Sequence, residues 1–177
     1  DGGTGGLIGN ALGGSVENSD TAGAVSGTDV VGGLIGFNRA RVENCHSDAA
    51  VGTEGSTGDY VGGLIGANGY REYFANDHTV KGSHSTGKVQ GSSRVGGLIG
   101  YNSSTSLVSN CHSTSTVDAN GNKVGGLIGY IYQAEEIEGC HHTDGSVSGG
   151  SIVGGFAGHV DSTNIIKNSY SKEDVTA

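Results

Sequence analysis

Gly-Gly-Leu-Ile-Gly stands at Gly32 to Gly36, and the same five residues recur at Gly5 to Gly9, Gly62 to Gly66, Gly96 to Gly100 and Gly125 to Gly129. A variant, Gly-Gly-Phe-Ala-Gly, stands at Gly154 to Gly158. The starts of these anchors are separated by 27, 30, 34, 29 and 29 residues. A period of that size marks a solenoid, in which one unit cannot bury its apolar face alone and must stack on its neighbours. A second block follows each anchor and aligns without gaps: VENSD, VENCH, VKGSH, VSNCH, IEGCH and IKNSY, beginning at Val16, Val42, Val80, Val108, Ile137 and Ile166. A further valine closes the unit at Val25, Val51, Val89, Val117 and Val175, with Val147 displaced by one position.

Three short apolar segments per unit, separated by Gly, Ser, Asn and Asp, predict three strands joined by corners. The expected fold is all-β: a parallel β-helix, or β-solenoid, of about six coils with three short strands per coil, wound right-handed by the crossover rule. Residues 1–177 then form a single solenoid domain, expected to be a piece of a longer chain because the first residues already belong to a repeat. Equivalent residues of successive coils lie one above another at about 4.8 Å.

Composition agrees with this fold. The 177 residues include 36 glycines and no proline, methionine or tryptophan, which leaves little material for helix. Collagen is excluded because glycine does not fall at every third position and proline is absent. Hydrophobic residues make up only 33% of the chain and the net charge is −9, values that lean toward disorder. A disordered tract has no reason, however, to keep apolar residues at fixed places in every repeat. The acidic balance and nine scattered Lys and Arg argue against nucleic acid as a partner, which needs clustered cations. No apolar run approaches a spanning helix, so membrane insertion is not expected.

The VGGLIG anchor, the aliphatic-x-Asn-Cys block and the closing valine together resemble the GLUG repeat of secreted and surface-attached bacterial proteins, among them immunoglobulin A peptidases of the metalloprotease type and large adhesins. The resemblance implies an extracellular or cell-surface repeat region, commonly a stalk or an adhesive segment, joined to flanking domains of the same parent chain. It does not imply a protease here, since HExxH does not occur. Where the usual block has tyrosine after Cys or Ser, this chain mostly has histidine.

Several columns invite chemistry. The Cys or Ser column comprises Ser19, Cys45, Ser83, Cys111, Cys140 and Ser169. Its alternation points to a small, weakly polar packing residue rather than a disulfide or metal role. The next column contains His46, His84, His112 and His141, with Asp20 and Tyr170 at its ends and His142 beside it. Four stacked imidazoles could share a divalent metal, but ligands in a straight ladder do not converge tetrahedrally, so no metal and no cofactor are expected. An aromatic column follows the anchor as Phe37, Ala67, Tyr101, Tyr130 and His159, and is followed by Asn38, Asn68 and Asn102 as a corner ladder. Thr86, Thr114 and Thr143 raise ice binding only distantly, because Ala22, Asp48 and Lys172 share their column. Catalysis has no convergent group to support it, leaving a carbohydrate-active enzyme as a distant alternative.

Insertions say more about binding, because solenoid insertions project as surface loops. From the last anchor glycine to the next aliphatic column the third coil uses 14 residues where the others use 6 to 8. That loop contains Tyr70, Arg71, Tyr73, Phe74, Asn76 and Asp77, an aromatic and polar set suited to stacking on a sugar or anchoring a protein partner. A second insertion, Gly52 to Tyr60, precedes the third anchor, so both bulges flank a strand expected over Val61 to Gly66. The functional expectation is a non-catalytic adhesive or presenting surface for a glycan or protein ligand. The alternative is a structural spacer of a larger secreted protein.

The anchor leaves one question. Strict alternation would turn Leu7, Leu34, Leu64, Leu98, Leu127 and Phe156 away from the core, whereas bends at the flanking glycines would turn both Leu and Ile inward. The inward arrangement is the favoured one.

Overall fold

The computed structural model describes residues 2–52, 59–69, 78–103, 106–161 and 165–177. Among these the chain is all strand and turn, and it winds into a parallel β-solenoid whose five sheets each contain six strands, one from every coil. The fourth coil shows the pattern: Val95–Gly96 in the first sheet, Ile99–Asn102 in the second, Leu107–Ser109 in the third, His112–Ser113 in the fourth and Val117–Ala119 in the fifth. Every pairing is parallel and in the register of the repeat, as in Val61↔Val95, Ile65↔Ile99, Val80↔Val108, His84↔His112 and Val89↔Val117. The longer steps in the third coil do not disturb this stacking.

Five strands per coil replace the three expected, because two of the three apolar segments are broken. The block divides at an Asn or Gly in left-handed conformation: Asn18, Asn44, Gly82, Asn110, Gly139 and Asn168 all have φ between 48° and 61°. Asn and Gly are the residues that adopt this conformation at least cost, and this explains their hold on the column. The anchor divides too, so Val61 to Gly66 is not one strand. Its residues contribute to Tyr60–Gly62 and Ile65–Asn68, with a bend at Gly63 and Leu64 between them.

That bend settles the direction of the leucines. Leu34 N and Ile35 N both donate to Leu64 O, at 2.9 and 3.0 Å, and Leu64 with Ile65, Leu98 with Ile99 and Leu127 with Ile128 repeat the sharing of one carbonyl. Two consecutive residues opposite a single acceptor shift the alternation by one, as a bulge does, so Leu and Ile both point inward. Leu34, Leu64, Leu98 and Leu127 are fully buried; Leu7, in the first coil, is 51% exposed.

The interior is two cores rather than one. The larger holds the anchor leucines and isoleucines, the block valines and isoleucines, and all three cysteines. The smaller is valine-rich and lies between the first and fifth sheets, where Val31, Val61, Val95 and Val124 meet Val51, Val89, Val117 and Val147. Between them the coil is pinched. The second anchor glycines, Gly33, Gly63 and Gly97, lie against inward serines of the fourth sheet, Ser47, Ser85 and Ser113, and a Cβ on any of them would also collide with the glycine carbonyl of the next coil. Ser85 Oγ donates across this waist to Gly97 O at 2.6 Å. Only glycine permits so close an approach of backbone to side chain.

Candidate functional site

The loop residues Tyr70, Arg71, Tyr73, Phe74, Asn76 and Asp77 lie outside the described residues, as does most of the Gly52 to Tyr60 insertion. The other candidate columns are described in detail.

The histidine column stands on the fourth sheet as a stack of parallel rings. Centroids are 4.0 Å apart for His46 and His84, 4.6 Å for His84 and His112, and 5.1 Å for His112 and His141, with Tyr170 a further 5.1 Å along. Interplanar angles fall from 16° to 4° along the stack. Parallel rings in a straight row do not converge on a point, and among the described residues no group of three or more His, Cys, Asp or Glu is placed to hold a metal ion. His46 Nε2 lies 2.8 Å from Asp48 Oδ1, which also accepts a hydrogen bond from Thr86 Oγ1. Burial, and then the neighbouring imidazoles, push His84 and His112 below the ordinary histidine value, so these two rings are held neutral near pH 7.

Beside this half-buried column runs the inward one, Ser47, Ser85, Ser113 and His142, in register through the fourth sheet. His142 takes the place of serine at the waist. It is fully buried, neither ring nitrogen makes a well-formed hydrogen bond, and its ring packs on Gly126. Burial carries its pKa down to about 4, the backbone of Ser113 opposing in part.

The cysteines are free and buried. Cys45, Cys111 and Cys140 each direct Sγ to the carbonyl two residues earlier, at 3.2 Å, as Ser83 and Ser169 direct Oγ at 2.9 Å. This shared acceptor explains why the two residue types exchange. Burial pushes the Cys45 and Cys111 thiols upward, which leaves them poor nucleophiles.

The asparagines form a buried ladder. Asn38 Nδ2 donates to Asn68 Oδ1, and Asn68 Nδ2 to Asn102 Oδ1, both at 2.8 Å, while the same amides bind the corner backbone at Ala40 and His78. The ladder ends at Ile131, in register with Asn102.

The richest outward feature combines the aromatic column with residues that sequence reasoning did not single out. Tyr101 and Tyr130 pack edge to face at 5.5 Å, and Tyr130 packs against His159 at 5.2 Å and Tyr132 at 6.2 Å. Tyr60, Arg94 and Lys123 stand immediately before the anchor valines Val61, Val95 and Val124. The anchor bend brings them alongside the aromatics: Tyr60 meets the Tyr101 ring at 5.3 Å, Arg94 lies 4.9 Å from the Tyr60 ring centre, and Lys123 Nζ lies 3.9 Å from that of Tyr130. Arg39 covers Phe37 likewise at 5.2 Å. Tyr130 donates its hydroxyl to Asp161 at 3.1 Å, and burial followed by that carboxylate raises its pKa. The sequence signal was the position before each anchor valine, but its neighbours follow only from the bend.

Comparison with known protein families matches residues 91–118, one full coil, to the GLUG motif. No curated protein and no solved structure matches the chain.

Proposed function

We propose that this GLUG-motif solenoid is a non-catalytic binding segment of an extracellular or cell-surface protein, presenting an adhesive face to a glycan or protein ligand. The observation that carries the proposal is the run of aromatic side chains Tyr60, Tyr101, Tyr130 and His159, which pack ring on ring from the third coil to the sixth beside the anchor bend, Tyr101 buried and the others half-buried. Rings held in a row by a rigid scaffold supply contact area at little cost in side-chain entropy, as binding surfaces require. A solenoid suits that role because its backbone hydrogen bonds are satisfied between coils, leaving the outer side chains free to vary. Among the described residues, burial raises the Cys45 and Cys111 thiols and the column histidines lie parallel to one another, features that serve packing.

The test is an array of glycans and host-surface proteins probed with the intact chain and with Tyr73→Ala and Phe74→Ala variants of the third-coil loop. Saturable binding of a defined ligand supports the adhesive role, and loss with either variant assigns it to the loop. Silence across the array would favour a structural spacer, and release of products from a polysaccharide would overturn the non-catalytic assignment.

A further inference from the structure

Arg94 and Lys123 are unusual in two ways that point to the same role. Both adopt left-handed backbone conformations, with φ of 50° and 60°, as does Ile152 in the last coil at 53°. The block column of the same solenoid assigns that conformation to Asn or Gly in every coil, so long side chains at Arg94 and Lys123 are held at a backbone cost. Second, neither has a carboxylate partner among the described residues, whereas Arg41 pairs with Glu43, Lys88 with Asp118 and Lys167 with Glu136. Lys81 and Lys172 also lack one there, but they stand singly on other sheets, away from the aromatic column. In a chain of net charge −9, two cations one coil apart on tyrosine faces form a local electropositive strip.

The strip has limits. Asp29 and Asp59 precede the first-sheet strands of coils two and three, and Ser93 and Asn122 take that position in coils four and five. At the far end Asp161 is engaged by Tyr130. The positive stretch is therefore confined to coils four and five, bordered by the half-buried Tyr60, Tyr130 and Tyr132, with Tyr101 buried beneath it.

We propose that this strip binds an anionic glycan, a chain of sugars bearing carboxylates, laid along the solenoid axis; the proposal rests on the adhesive role above and names its ligand class. The half-buried Tyr130 and Tyr132 offer ring surface to the apolar faces of pyranoses, and Arg94 and Lys123, whose backbone positions are about one strand spacing or 4.8 Å apart, meet carboxylates carried on the chain. An acidic peptide is disfavoured because the strands beneath the strip are paired on both sides, so no open sheet edge remains there to receive an extended backbone.

The test uses titration calorimetry of the whole chain with an oligosaccharide of alternating glucuronate and N-acetylglucosamine, the same oligosaccharide with its carboxyls reduced, and a polyglutamate peptide. The double variant Arg94→Asn, Lys123→Asn removes both charges while keeping residues that tolerate the left-handed backbone. The expected result is binding of the uronate chain that weakens with salt, falls at least tenfold on carboxyl reduction, and falls equally in the double variant, whose thermal midpoint matches or exceeds that of the parent. Equal affinity for the reduced chain, preference for polyglutamate, or no binding of the uronate chain overturns the proposal; the comparison with the reduced chain needs no variant and so does not depend on one folding. If another array ligand still binds and the double variant keeps it, the strip is wrong and the adhesive role stands, whereas a silent array removes both.

Discussion

His142 is the residue at which this solenoid departs furthest from its own rule, placing an imidazole in a column that elsewhere holds serine or, at Thr21, threonine. Its folded pKa of about 4 lies below the ordinary histidine value of 6.5, so the unfolded chain takes up a proton that the folded chain refuses. The stability this represents is fully present above pH 6.5 and is lost as the pH falls toward 4. Its size is about 2 kcal/mol between pH 6.5 and 5. His84 and His112 are displaced in the same direction and add to the trend. Urea unfolding at pH 7.5, 6.5 and 5 should therefore show a falling free energy in the parent and a markedly flatter profile in His142→Ser, which restores the column's usual residue. Identical slopes in the two proteins would mean that the ring reaches water. The sequence identified His142 only as a neighbour of the His column. That it faces the opposite way follows from strand alternation, a step that needed the register of the fourth sheet.

At the scale of the element, the anchor is the working part. Its first glycine lets the strand bend and its second lets the waist close, and the shared carbonyl turns Leu and Ile into the same core. A methyl group at Gly97 would meet the Gly126 carbonyl of the next coil on one side and the Ser113 hydroxyl on the other, and the Gly126 backbone cannot yield. Gly97→Ala should cost about 3 kcal/mol or more, by the usual measure of strain within a packed core. Gly13, beside which a Cβ meets nothing, is the control, and Gly13→Ala should stay within about 0.5 kcal/mol. Denaturant midpoints of the two variants check the contrast; similar losses would argue against a close-packed waist. The repeat of Gly-Gly was plain in the sequence, and so was the freedom it confers. Its purpose was not, because the serine that fills the space comes from a separate block of the unit.

For the whole molecule, stability should follow the stack. In a solenoid each coil is held chiefly by its two neighbours, so a coil with one neighbour opens more readily. Burial reflects this: among the described residues, large exposed hydrophobics occur at Leu7 and Leu12 in the first coil and at Ile152, Val160, Ile165, Ile166, Tyr170 and Val175 in the sixth, with none in the coils between. Amide exchange followed by mass spectrometry should accordingly be slowest at Ile65, Ile99 and Val108 and fastest at Ile8 and Ile165, with a graded rather than all-or-none profile. Uniform protection from end to end would instead indicate a single cooperative unit. The architecture itself was legible because periodicity needs no side-chain geometry: six anchors, six blocks and six closing valines specify which residues stack, and the parallel register reproduces that alignment. The sequence by itself thus determined the coil number, the columns, and the aliphatic and cysteine interior. Only the tertiary structure decided that each coil has five strands, that its core is divided by a glycine and serine waist, and that Arg94 and Lys123 lie on tyrosine rings. These depend on where the backbone bends within a coil, and bends set which columns become neighbours, a relation between residues that a repeat period does not contain.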